Sequence, residues 1–251
     1  MIKILVILLV ILSLTVGGDQ AAKSPAAAAM NILIFCAVVE LSHIGANILV
    51  CSLIGSVLIS AVTIFYQNEG GEKTTIAFIS VMIVLACSLI FILWIVQKAH
   101  LQGFDTLGDA KIVESNGYSS DIRINMYLAQ VGAFLIVLLG AVIDAAVAIS
   151  SGVYEVSRHS VNAAPRELFK SGMNIGKDIL NSNVNTLFFI FAGEYMISFI
   201  NYLSFYSVET MLNSKSFAQD SISIMVSALG SIIVIPISAA LAASRYGAKA
   251  G

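Results

Sequence analysis

A chain of 251 residues that is 58% hydrophobic and 11% charged, with a mean hydropathy of +0.93, leaves no surface for water. Ordinary soluble domains carry about 25% charged residues, so this class is excluded. The net charge of −2 gives no basis for a nucleic-acid partner. Lipid suits the composition, and in hydrocarbon a chain of this kind satisfies its backbone by forming helices.

Seven apolar runs follow in chain order, which predicts an all-α polytopic bundle of about seven spans, with six to eight as the range. The first covers residues 2–16 and ends at Gly17-Gly18-Asp19. Lys3 and the alanine-rich stretch that follows give it a rival reading as a cleaved signal peptide, but another apolar run begins within ten residues, so a retained span is expected. The second covers 26–41, and the polar pair Ser42-His43 separates it from the third, 44–66. Glu40 and His43 are expected at the interface. A turn over 67–75 with Gly70-Gly71 leads to the fourth run, 76–96. A long mixed loop, 97–125, precedes the fifth run, 126–150. The sixth covers 184–206 and the seventh 222–243, with Pro236 as an expected kink. Runs three to seven reach the roughly 20 residues that a 30 Å hydrocarbon layer needs. Cys36, Cys51 and Cys87 all fall inside apolar runs and read as unpaired small hydrophobes, not as a disulfide or zinc set.

Lysine and arginine placement orients the chain. If loop 151–183 is cytoplasmic, that side holds Lys23, Lys73, Arg158, Arg166, Lys170, Lys177, Arg245 and Lys249. The other holds Lys3, Lys98, Lys111, Arg123 and Lys215. The C-terminus is then inside, loop 97–125 is extracytoplasmic, and seven spans put the N-terminus outside. Within loop 151–183, Pro165 suits the first turn of a helix. Leu168, Gly172, Ile175 and Ile179 share one face, while Arg166, Lys170, Lys177 and Asp178 share the other. The spacing predicts an amphipathic helix near 165–181 lying on the cytoplasmic membrane surface, either as a coupling element or as a plain connector.

Carboxylates inside spans are costly, about 2.5–3.5 kcal/mol at the helix centre on insertion scales, so they face protein or water. Asp144 in run five and Glu194 near the centre of run six stand out. Gly140, Asp144 and Ala148 recur at spacing four, Ser151 continues the row, and Glu155 shares the face if the helix continues. Small residues at that spacing predict close approach of a neighbouring helix at Gly140 and Ala148. Asn185 and Thr186 belong to a polar cluster opening run six, and Ser227 and Ser231 sit in a serine row of run seven expected at a helix–helix contact. The functional reading is a proton or ion relay, or polar path, through Asp144, Glu194, Asn185, Thr186, Ser151 and Glu155. Loss of hydration penalises the charged form of a buried acid, which brings its proton exchange toward neutral pH. The alternative is that these groups only bond helices together.

Catalytic signatures are absent: no G-x-S-x-G, H-E-x-x-H, P-loop or dinucleotide-binding glycine pattern occurs, and His43, His100 and His159 lie far apart. The sequence therefore reads as a non-enzyme with no metal or cofactor.

The stretch Gly140-Ala-Val-Ile-Asp144-Ala-Ala-Val-Ala-Ile149-Ser-Ser151, followed by Glu155, Gly172, Ile175-Gly176-Lys177-Asp178-Ile179 and Asn185-Thr186-Leu187, resembles the YibE/F-like family of bacterial multi-pass membrane proteins. Ala99-His-Leu-Gln-Gly103 adds to the likeness. The resemblance covers most of the chain and points to the shorter, YibF-like type, which lacks an added extracytoplasmic domain. It implies a bacterial inner-membrane location, and a second copy or a longer YibE-like paralogue as partner beside the lipid bilayer. More distantly, the order G-x-x-x-D, Glu, amphipathic connector, Asn/Thr-opened helix is similar to one half of the resistance-nodulation-division exporters and of SecD/SecF-type export subunits. That likeness implies proton-driven movement centred on Asp144. It departs where Ala145 follows Asp144, since the large exporters commonly have two adjacent acids. The expected function is a membrane transport component, proton-coupled, of unknown substrate; the alternative is a non-transporting scaffold or assembly subunit.

Overall fold

The computed structural model describes residues 1–68, 70–103, 124–159, 164–203 and 207–247. Every regular element among them is helical: α1 (Ile2–His43), α2 (Ile48–Ala61) with a π-helical turn (Val62–Tyr66), α3 (Glu72–Lys98), α4 (Met126–His159), α5 (Pro165–Leu203), the short α6 (Val208–Leu212) and α7 (Lys215–Gly247). Among the described residues, five segments are long and apolar enough to cross a membrane: Lys23–His43, Ile48–Tyr66, Glu72–Lys98, Met126–His159 and Lys215–Gly247. Lys3–Val16 is a shorter apolar helix. The chain is thus an all-helical protein of the membrane type.

Helix ends follow local chemistry. α1 stops where Gly45 takes φ +106°, a conformation that costs glycine little, and Ala46 N–H donates back to Leu41 O. Asn47 then caps α2 by accepting from Leu49 N–H at 3.0 Å. Gly71 and Thr74 form the start of α3, the Thr74 hydroxyl accepting from Gly71 N–H at 2.8 Å. Asn125 caps α4 through Tyr127 N–H at 3.1 Å. Pro165 occupies the first position of α5, where its missing N–H costs nothing.

Three expectations about the elements are corrected. The runs 2–16 and 26–41 are one continuous helix, α1, with Pro25 inside it, so the chain does not turn back between them. Gln20, Ala21 and Ala22 between the runs are good helix formers, and a hydropathy break is not a helix break. The loop 151–183 is mostly helix: α4 continues to His159, and α5 starts at Pro165. The segment 165–181 is not separate from run six; both belong to α5, and the apolar face of the segment is buried against protein. A Cβ on Gly172 would lie 2.8 Å from Ala239 Cβ and 2.9 Å from Val153 Cγ2, so α5 approaches α7 and α4 to near backbone contact. Leu168 is fully buried there, with Ile149, Val153, Ala239 and Ala242. Loop 97–125 lies largely outside the described residues.

α4 is the centre of the bundle. Val131, Leu135, Leu138, Val142, Ala146, Ile149 and Val153 recur at three- and four-residue spacing and are all buried. α2, α3, α5 and α7 pack around this stripe. Gly230 of α7 seats against Leu138 and Val142 of α4. Near the start of α4, Tyr127 Oη donates to Leu93 O of α3 at 2.8 Å, and Gln219 Nε2 of α7 donates to Gly103 O at 3.0 Å. At the opposite end, the Tyr154 and Tyr246 rings meet at 5.4 Å, and Arg245 reaches Glu72 at 3.7 Å. α4 and α7 therefore run parallel, with α5 antiparallel to both. This arrangement turns one side of Asp144 toward α5 and α7.

Candidate functional site

Asp144 lies in the middle third of α4, eighteen residues from its start at Met126. The stripe that fills the core includes Val142 and Ala146, so Asp144 falls off that stripe, and its side chain is exposed. It opens into a cavity of about 450 Å³ between α4, α5 and α7. α4 contributes Val137, Gly140 and Ala141; α5 contributes Asn183, Thr186, Ile190 and Glu194; α7 contributes Asp220 and Ser223. Three carboxylates thus share one cavity, from Asp144 past Glu194 to Asp220. Among the described residues no three His, Cys, Asp or Glu side chains gather as a metal site, so these acids are spread along the cavity and not converged on a point.

Neutral polar groups hold the walls. Asn183 Nδ2 donates to Ala141 O across the α4–α5 junction at 3.4 Å, and Thr186 Oγ1 donates to Ser182 O at 2.9 Å within α5. At the far end, the Tyr195 hydroxyl donates to the Asp220 carboxylate, with Ser216 O as an alternative acceptor at 3.1 Å. Phe191, Tyr195, Phe199 and Phe217 form an aromatic cluster beside that clasp, with the Phe191 and Tyr195 centroids 4.8 Å apart.

A second cavity, of about 280 Å³, lies on the other side of Asp144. It is lined from α4 by Ile143, Asp144, Val147, Ala148 and Ser151, and from the π turn and the residues after it by Thr63, Gln67 and Asn68. The π turn shapes this wall. Its wider register leaves backbone groups without their usual α partners, and Asn68 Nδ2 donates to Thr63 O at 3.2 Å. Thr63 Oγ1 in turn accepts from Asn31 Nδ2 of α1 at 2.9 Å.

The remaining residues singled out by the sequence fall as follows. Thr186, Glu194 and Asp144 line the first cavity, and Ser151 the second. Asn185 is exposed and outside both, as is Glu155. Gly140 is not a close helix contact: a Cβ placed there would meet nothing within 4 Å, because the cavity lies opposite it. Ala148 likewise faces the second cavity. Ser227 and Ser231 are fully buried, and their hydroxyls donate to Ser223 O at 3.0 Å and Ser227 O at 3.2 Å. Arg166, Lys170, Lys177 and Asp178 are exposed on the polar face of α5.

Sequence reading missed Asp220, Thr63, Gln67 and Asn68. Asp220 sits two residues before the seventh apolar run. The signal for it is the continuation of the serine row, since Asp220, Ser223, Ser227 and Ser231 share one face of α7.

The arrangement places three carboxylates along a cleft that is otherwise lined mainly by apolar side chains such as Val137, Leu187, Ile190 and Ile224. Among curated proteins and among solved structures, no match to the chain is found. The model of one family does match, over residues 5–248, nearly end to end, and on that ground the chain belongs to the YibE/F-like proteins.

Proposed function

We propose that this protein is a transport component of the bacterial inner membrane, driven by protons, with Asp144 as the group that gains and loses the proton. One observation carries the reading: Asp144 stands open to a cavity of about 450 Å³ that also holds Glu194 and Asp220. A scaffold would bury such a group among packed side chains, because an acid in hydrocarbon is costly unless it is bonded or hydrated. Around Asp144 the neighbouring helices leave room for water instead.

In this reading the membrane part comprises the five apolar segments together with α5, and Lys3–Val16 is the seventh apolar segment. The α4–α5 connection and the C-terminus face the cytoplasm, in keeping with Arg158, Arg166, Lys170, Lys177 and Arg245 at that end. The partner is a second copy or a longer YibE-like paralogue, and no enzyme chemistry is involved. The substrate moved together with the proton is left open.

Reconstitution tests the reading. The full chain is placed in liposomes, alone and with a longer YibE-like paralogue, a pH gradient is imposed, and internal pH is followed with an entrapped dye. Proton movement above that of empty liposomes in either arm supports the reading. Equal rates in all arms reject it in favour of a scaffold.

A further inference from the structure

The first cavity explains how water reaches Asp144 from one side. The second cavity raises a different matter, because a relay that opens on one side only cannot carry anything across a membrane.

The two cavities are displaced along α4. The first touches the helix from Val137 to Asp144, and the second from Ile143 to Ser151. Each extends seven residues from Asp144, about 10 Å at 1.5 Å per residue, and they extend in opposite directions. Among the described residues, Asp144 is the single side chain that lines both. Their walls come from different elements. α5 and α7 close the first, which runs toward Asp220 near the start of α7, the same end as Tyr127 and Gln219. The π turn and Gln67-Asn68 close the second, which runs toward Ser151 and the end where Tyr154 meets Tyr246.

The chemistry of the walls differs too. The titratable groups facing the first cavity are Glu194 from α5 and Asp220 from α7, beside Asp144 itself. Among the described residues, the π turn and the residues after it give the second neutral Thr63, Gln67 and Asn68, and α4 adds neutral Ser151. Among the described residues, no lysine, arginine or histidine lines either cavity. A cation entering the acidic cavity meets no competing positive charge, and a proton leaving Asp144 the other way meets neutral groups that order water without holding the proton.

We infer that Asp144 is served from both membrane faces through two separate half-channels, an acidic one on the extracytoplasmic side and a neutral one on the cytoplasmic side. What passes, a proton taken by the carboxylate from water in one cavity and returned to water in the other, rests on the proton-coupled reading above. The route rests on the two cavities alone. α4 is the partition, and its Asp144 side chain is the crossing point.

Site-directed labelling separates the two statements. Cys36, Cys51 and Cys87 are replaced by Ala, and a single cysteine is introduced as Thr186→Cys in the first cavity or Ser151→Cys in the second. An impermeant sulfonated thiol reagent is then applied to right-side-out and to inside-out vesicles. The inference expects Thr186→Cys to react only from outside and Ser151→Cys only from inside. Reaction of both from the same face, or of neither from any face, overturns it. The second arm adds Ala148→Leu, which fills the second cavity without touching the first. Labelling of Ser151→Cys should fall at least tenfold while that of Thr186→Cys is unchanged; an equal fall at both positions overturns the separation of the two half-channels. Opposite-face labelling in a chain that moves no protons upholds the two-sided route and rejects the proton as its cargo.

Discussion

At the scale of single residues, the glycines separate what spacing reveals from what it hides. Gly140 and Gly172 are both small residues on helices, the first expected at a helix contact and the second on a face turned to the membrane surface. In the structure Gly172 has Ala239 and Val153 within 3 Å of an added Cβ, while Gly140 has open space. Gly172→Leu is therefore expected to destabilise the folded chain by about 1–3 kcal/mol through overpacking. Gly140→Ala should be neutral, or stabilising by up to about 1 kcal/mol through helix propensity. Thermal unfolding in detergent checks both, and equal losses at the two sites would contradict the placement of the cavity. Periodicity assigns a residue to a face; it does not say whether a helix or a void lies opposite. Asp144 was legible because a carboxylate inside a 25-residue apolar run is conspicuous. Asp220 was not, because it stands just ahead of its run, where an acid is ordinary.

At the scale of elements, hydropathy located the helices and misplaced their ends. It reports where side chains suit lipid, whereas a helix ends where backbone groups lose partners or a cap intervenes. α4 passes nine residues beyond its apolar run to His159, and α3 begins at Glu72, four residues before its run. The apolar face of residues 165–181 was visible from sequence, but its destination was not. An amphipathic face fits a membrane surface and a neighbouring helix equally well, and the choice fell to Gly172 and Gly176, which let α5 approach α7. Two expectations follow. A cysteine at Lys177, on the exposed face of α5, should react with an impermeant reagent from the cytoplasmic side alone; reaction from outside would reverse the orientation. Tyr127→Phe removes the bond from α4 to Leu93 O and should cost only about 0.6 kcal/mol, the mean found for such bonds between membrane helices. A loss several times larger in detergent unfolding would mean that this bond, and not apolar packing, holds α3 to α4.

At the scale of the whole molecule, one helix serves as core and as site. α4 turns its apolar stripe toward α2, α3 and α7 and leaves Asp144 off the stripe, between two cavities. Packing holds the backbone of α4, and this places the carboxylate between the two cavities. The central claim is that Asp144 acts by exchanging a proton. Asp144→Asn tests it most directly, since the side chains are nearly equal in size and Asn still forms hydrogen bonds but cannot release or take up a proton. The measurement is proton flux driven by a pH gradient, in membranes holding equal amounts of parent and variant with matched thermal stability. The account predicts that Asp144→Asn loses nearly all flux, and that Glu194→Gln, which alters the cavity but not the crossing point, loses only part. Full flux in Asp144→Asn would contradict the account and leave the carboxylate as an element of structure alone.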